Sequence, residues 1–379
     1  MRSTGTIAAI GSRPDERNPI RALATIHWGL LVAAVLLAVI GVATVHSASS
    51  EMAVDYLPRQ ALRIGVGLLV CLLAFGIDYQ ILTKFALPIY VFSILSLVVV
   101  LVAGREAGGA RSWLEIGTAQ IQPSDFAKLA TTLVLARYLA GVNRRFLAVP
   151  QIMAAAGITL LPMVLIASEP DLGGAAMFVP ILAGMLLVAG VRLRLLIGAA
   201  LLVAVVGAGV WMFVMQPYQQ QRVRTFLSPE SEPLGAGYQL RQSKIAVGSG
   251  QVAGRGYMQG TQSQLRFLPA RHTDFIFAVL AEEWGFLGAA AVLALYAMYF
   301  WNAASVALRG RDRMAILLVV GLTSGLAFHV LYNTGMVVGL VPITGIPLPF
   351  LSYGGSFTVA CFLATGLVLS IDLRRYVNR

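Results

Sequence analysis

Hydrophobic residues along this chain fall in blocks about as long as a bilayer is thick, separated by short polar links. A helix needs roughly 20 apolar residues to cross about 30 Å of hydrocarbon. The blocks predict ten membrane-spanning helices: residues 26–45, 64–77 (extending back through Ala61 and Leu62), 85–103, 126–140, 150–167, 172–191, 195–215, 275–301, 314–341 and 353–371. Lys128 and Arg137 interrupt the fourth block, and Glu282 and Glu283 sit inside the eighth. The expected fold is an all-α polytopic membrane domain over residues 26–371, with cytoplasmic tails at 1–25 and 372–379. One link, 216–273, is far longer than the others and is Gln- and Gly-rich, which marks it for attention because long ordered loops are often functional.

Composition agrees with that pattern. The chain is 58% hydrophobic and 12% charged, against about 45–50% and about 25% in soluble domains. Its two cysteines, Cys71 and Cys361, both lie in apolar blocks, so a disulfide framework is excluded and packing is their expected role. The formal charge is +11, from 28 Lys+Arg against 17 Asp+Glu. In a soluble protein this would suggest nucleic acid; here no zinc-finger spacing or basic aromatic helix supports that. Lys and Arg instead mark cytoplasmic links. With the N-terminus inside, the inner segments hold Arg2, Arg13, Arg17 and Arg21; Lys84; Arg144 and Arg145; Arg192 and Arg194; Arg309, Arg311 and Arg313; and Arg374, Arg375 and Arg379. The short outer links hold only Arg59, Arg105 and Arg111. Both termini are therefore expected in the cytoplasm, as an even number of spans requires. The first 25 residues read as a cytosolic tail before a retained helix rather than as a cleaved signal.

The unusual polar residues gather on the outer side. Arg111, Glu115, Asp125 and Lys128 surround the outer end of span four. Glu169-Pro170-Asp171 forms the turn between spans five and six. Arg266, Arg271, His272, Asp274, Glu282 and Glu283 lie at the mouth of span eight, and a Pro-rich link runs from Pro342 into Ser352-Tyr353-Gly354-Gly355-Ser356. Ionisable groups at membrane depth default to a functional hypothesis. Each also has a plain structural alternative. Asp125 and Lys128 are i,i+3 and could merely pair; Asp171 and Asp274 could be helix N-caps; the Pro-rich link could be only a re-entrant turn. Glu282 and Glu283 differ by about 100° of helix rotation, so they can hardly face one place. His46 and His329 have no neighbours at metal-ligand spacing.

No Walker loop, H-E-x-x-H, G-x-S-x-G elbow or Asp-x-Asp pair occurs. Carboxylates with Lys and Arg at a lipid–water boundary suit an anionic lipid headgroup: the cations bind phosphate or pyrophosphate, and a carboxylate acts as general base on a hydroxyl.

The run His272-Thr273-Asp274-Phe275-Ile276-Phe277-Ala278-Val279, followed by Glu282-Glu283-Trp284-Gly285, resembles the signature of the SEDS family (shape, elongation, division and sporulation proteins). So do Gln122-Pro123-Ser124, Glu169-Pro170-Asp171-Leu172-Gly173 and the run from Pro347 to Ser356. The motifs stand in family order, and the resemblance covers nearly the whole chain after the tail. Gly260-Thr261-Gln262-Ser263-Gln264 and Trp284 look like the elongation member rather than the division member.

The resemblance implies a peptidoglycan glycosyltransferase that polymerises lipid II at the outer face of the cytoplasmic membrane. A class B penicillin-binding protein and other elongation-complex proteins are the implied partners; no nucleic acid is expected. The family's essential aspartate matches Asp274, the expected catalytic base. Arg111, Lys128, Asp125, Asp171, Arg271, His272, Glu283 and Ser352 are expected to contact substrate. No organic cofactor is implied; a divalent cation, Mg or Mn, is expected on Asp125 or Asp171. Two positions depart from the family pattern, Asp125 and Ala270, each where Glu is common. Two other classes compete: a flippase for the same lipid, which needs polar groups along a path to both leaflets, and a non-catalytic scaffold, which would tolerate Asp274→Ala.

Overall fold

The computed structural model describes residues 25–50, 56–107, 110–116, 119–142, 146–192, 217–228, 235–265 and 267–377, with a few isolated positions between 194 and 209. In chain order the elements are α1 (Trp28–Ser49), α2 (Leu57–Gly76), α3 (Tyr79–Lys84), α4 (Ala86–Ala103), β1 (Arg105–Ala107), β2 (Ala110–Ile116), β3 (Ala119–Ile121), α5 (Pro123–Ala140), α6 (Val149–Ser168), α7 (Leu172–Ala176), α8 (Phe178–Ala189), α9 (Pro217–Leu227), α10 (Ala236–Ser249), α11 (Thr261–Gln264), α12 (Ile276–Leu308), α13 (Arg313–Val338) and α14 (Ser356–Val377). Eight segments are long and apolar enough to cross a membrane: α1, α2, α4, α6, α7 with α8, α12, α13 and α14. The protein is a multi-pass helical membrane protein. The expected fourth span is α5, whose 18 residues include Asp125, Lys128 and Arg137. The expected seventh span and the N-terminal tail lie outside the described residues, isolated positions apart.

Helix ends follow local chemistry. Proline occupies the first turn of α2, α5 and α6, where a missing N–H costs nothing. Asp312 caps α13 by accepting from Ala315 N–H at 2.6 Å, and the helix stops at Gly339, in the left-handed region at φ 81°. At the end expected to face the cytoplasm, basic residues bind the last carbonyls of neighbouring helices. Arg374 donates to Gly76 O at 2.6 Å, and Arg313 to Ala189 O at 2.7 Å. The arginines that set the expected orientation thus also satisfy helix C-termini. His27 and Asp372 meet at 2.9 Å, so the start of α1 and the end of α14 share one side of the bundle, as an even number of crossings requires.

Two features were not expected from the sequence. The link before α5, expected on the outer side, folds as a three-stranded antiparallel sheet, pairing Arg105 with Trp113 and Leu114 with Ile121. The strands flank Gly108-Gly109 and Gly117-Thr118, the Gly-containing dipeptides that hairpins favour. Second, span eight is not continuous. Gly285 breaks α12 with φ 66° and ψ −163°. The loop after α10 fills the break: Arg255 N–H donates to Glu282 O and Gly256 N–H to Glu283 O, both at 3.0 Å. Gln251 O and Val252 O accept from Phe286 and Leu287 N–H at 2.8 and 3.1 Å. A helix broken at membrane depth is stable only when its freed backbone groups are re-satisfied, and this loop does that.

The core sits between α1, α2, α12, α13 and α14, with Cys71 and Cys361 buried as free thiols. The Pro-rich link dips into it. Leu348, Phe350 and Leu351 are almost wholly buried. Asn333 Nδ2, His329 Nδ1 and Tyr296 Oη bind Ile346 O, Pro347 O and Pro349 O at 2.8, 3.1 and 2.5 Å. Gly41 of α1 lets this turn approach: a Cβ there would lie 2.7 Å from Phe350 O.

Candidate functional site

Asp274 lies in the turn that leads into α12, with its N–H donating to Ala270 O at 3.0 Å. Three successive carbonyls of this turn are held from elsewhere in the chain. Tyr353 N–H donates to His272 O at 2.9 Å, Ser352 Oγ to Thr273 O at 2.6 Å, and Asn333 Nδ2 to Asp274 O at 2.7 Å. Ser352 Oγ in turn accepts from Leu348 N–H at 2.8 Å. The Asp274 side chain is half-buried. A Cβ added at Gly345 would sit 3.4 Å from its Oδ2, so the Pro-rich link passes beside the carboxylate. The N-cap of α12 is Phe275, with no side-chain cap. The capping alternative for Asp274 is therefore set aside.

Asp125 and Lys128 form the expected i,i+3 pair at 3.1 Å, buried to 5% and 12% side-chain exposure. Asp125 Oδ2 also accepts from Ser356 Oγ at 2.9 Å, and that hydroxyl accepts from Gln122 N–H at 3.1 Å. Gln122 Nε2 reaches Asp171 Oδ2 at 3.2 Å, while Asp171 Oδ1 caps α7 by accepting from Gly174 N–H at 2.8 Å. Gly173 packs against Thr344, with a Cβ there falling 2.9 Å from Thr344 O. The turns bearing Asp171 and Asp274 thus flank the same short stretch, 344–345, and Gln122 ties Asp171 back to the Asp125–Lys128 pair. Below that pair lies a narrow crevice lined by Thr132, Leu326, His329, Phe357 and Cys361 among others.

Glu169 is buried at 1% exposure in the same outer turn. Burial, with the Asp171 charge adding to it and Ser112 opposing it, pushes its carboxyl up to about 8. Burial, then the Arg271 charge, pushes His272 below its usual range. The His272 ring stacks on Tyr56 at 4.9 Å and meets Tyr353 at 5.7 Å.

Two expected contact residues, Arg271 and Glu283, also hold the scaffold together. Arg271 is 2% exposed; its Nε donates to Ala48 O at 2.6 Å and its Nη1 to Ser263 O, clamping the loop to the end of α1. Glu283 is 2% exposed and accepts from Ser47 Oγ. Glu282 points elsewhere, as the helix rotation requires, and accepts from Gln262 and Ser263 N–H at 2.8 and 3.2 Å, capping α11. Glu115 pairs with Arg105 on the exposed face of the sheet at 2.5 Å. Arg111 sits on β2 opposite Glu106; its side chain lies outside the described residues.

Among the described residues no three His, Cys, Asp or Glu side chains are grouped to hold an ion. Both oxygens of Asp125 and of Asp171 already accept hydrogen bonds from the chain. Sequence reasoning missed Asn333, Gln60 and Arg63. Asn333, wholly buried in α13, was legible as a polar residue at membrane depth; attention to charged groups alone passed it over.

A sequence profile described as the cell cycle protein family of FtsW, RodA and SpoVE matches residues 22–377. The peptidoglycan glycosyltransferase MrdB of Escherichia coli K12 is 39% identical over 352 residues, which cover 91% of this chain and 93% of MrdB. The peptidoglycan glycosyltransferase RodA of Treponema pallidum is 34% identical, over 94% of this chain and 99% of its own length. A chain from the solved structure of a peptidoglycan synthase complex that coordinates polymerization and crosslinking superimposes with a TM-score of 0.80 at 34% identity, covering 93% of this chain and 99% of that one. With a family match across nearly the whole chain, and geometry converging where the family's motifs fall, this protein belongs to the FtsW, RodA and SpoVE family.

Proposed function

We propose that this protein is a peptidoglycan glycosyltransferase that polymerises lipid II at the outer face of the cytoplasmic membrane during cell elongation. Asp274 is the base in this reading. It takes the proton from the 4-hydroxyl of the acceptor GlcNAc as that oxygen attacks the anomeric carbon of the donor. The bond from that carbon to undecaprenyl diphosphate breaks, and the linkage inverts from α to β. Lys128 and Arg111 hold the departing diphosphate. The crevice beneath Lys128 offers the first isoprene units an apolar wall. A divalent cation, if bound, would lie by Asp125 or Asp171 and neutralise charge on the diphosphate. A class B penicillin-binding protein is the proposed partner. The relative from a synthase complex that couples polymerization to crosslinking supports that pairing.

The observation that carries the reading is the pinning of residues 272–274 by Tyr353, Ser352 and Asn333. It fixes the turn that carries Asp274 against the Pro-rich link, whereas a flippase would need polar groups along a path through to the other side. The test is to give purified protein, alone and with its penicillin-binding partner, lipid II and to assay glycan strands. Polymer is expected, and Asp274→Asn should lower its rate by about 10²–10⁴-fold with partner binding intact. Full activity in that variant rejects the base assignment; no polymer from wild type with its partner, together with normal cell shape in Asp274→Ala cells, favours the scaffold reading.

A further inference from the structure

A second polar cluster, outside the groups just assigned, adjoins them. Tyr56, Gln60 and Arg63 are spaced i, i+4, i+7, so they share one face at the outer end of α2. Gln60 is wholly buried and donates through Nε2 to Ser352 O at 3.3 Å. The Arg63 guanidinium lies over the Tyr353 ring, with Cζ 4.2 Å from the centroid. Its Nη1 is sealed from solvent and has no hydrogen-bond partner, and the same is true of His272 Nδ1 and Gln60 Oε1. Among the described residues no carboxylate pairs with Arg63.

These unpartnered atoms define a ligand. Arg63 is charged at any physiological pH and presents a planar fork suited to phosphate. Stacking on Tyr353 covers one guanidinium face and leaves its edge to bind in the ring plane. Gln60 Oε1 needs a donor, which a bare phosphate lacks and an acetamido sugar supplies. The cluster is continuous with the assigned groups. Arg63 Nε lies 3.5 Å from where a Gly355 Cβ would stand, the next residue, Ser356, bonds Asp125, and His272 is two residues from Asp274. We propose that Tyr56, Gln60, Arg63 and His272 form a glycosyl-diphosphate subsite, with Arg63 binding phosphate oxygens and Gln60 the sugar's amide or hydroxyl. It rests on the reading that the substrate is a lipid-linked sugar diphosphate, and it adds a cation that the motifs do not contain.

The probe is farnesyl diphosphate, with farnesol as control, titrated against the full-length protein in nanodiscs. Wild type should bind the diphosphate and not the alcohol. Arg63→Gln should weaken that binding at least tenfold, and Arg63→Lys by threefold or more, since it keeps the charge and loses the fork. Affinity within twofold of wild type in Arg63→Gln overturns the subsite. Should that variant fail to accumulate, an unchanged affinity in Arg63→Lys overturns it. The two readings fail separately. Lipid II polymerisation by wild type with normal diphosphate binding in Arg63→Gln removes the subsite and leaves the polymerase. Arg63-dependent binding without polymerisation removes the polymerase and leaves the subsite.

Discussion

Asn333 donates one amide group to two main-chain oxygens, Asp274 O and Ile346 O, from inside a membrane helix. Removing it takes a donor from both oxygens, at a cost of about 1–3 kcal/mol. Asn333→Ala should therefore lower thermal stability and slow polymerisation, although it touches no substrate; an equal rate at saturating lipid II would show that the turn holds itself. Glu169 gives a pH signature. Its folded value, about 8, lies above the ordinary 4.5, so the folded state binds the proton more tightly than the unfolded chain. Its contribution is full below about 4.5 and is lost as pH rises through about 8. Glu169→Gln cannot ionise, so its melting temperature should fall less than that of wild type between those two values, a difference that melting curves across that window measure.

At the scale of elements, helix existence was readable and helix continuity was not. The apolar block from Phe275 onward has no proline and reads as one span, yet Gly285 breaks it because the 251–256 loop docks in the gap. That docking needs Gly285 at positive φ and Gly254 against Glu283 O, where a Cβ has no room. Gly285→Val should free the loop, seen as rapid proteolysis within residues 250–257 while the remaining helices stay intact. The sheet was missed for a different reason. Its strands are three to seven residues long, and hairpin turns signal weakly beside apolar blocks.

For the molecule as a whole, the proposed orientation makes one face cytoplasmic and the other exterior. Cys71 and Cys361 are buried, so an introduced cysteine is the accessible thiol among the described residues. A membrane-impermeant maleimide applied to intact cells should label Leu265→Cys in the long outer loop and leave Arg311→Cys in an inner link unlabelled. The reverse pattern would invert the topology and remove the extracellular site. The pairing of His27 with Asp372 constrains the same question from inside the fold, because it keeps both ends of the bundle on one side.

Span positions, the inner arginines and the outer gathering of polar residues follow from the sequence, because bilayer thickness and the cost of charge in hydrocarbon act on local stretches of chain. The motifs carry the family for the same reason: they are contiguous. What each motif residue does was decided only by the fold. Arg271, Glu283 and Asp274 stand within thirteen residues of one another, yet two are locked onto α1 and the third is held toward the Pro-rich link. Hydrogen-bond partners come from segments 79 to 236 residues away, and linear spacing holds no record of them.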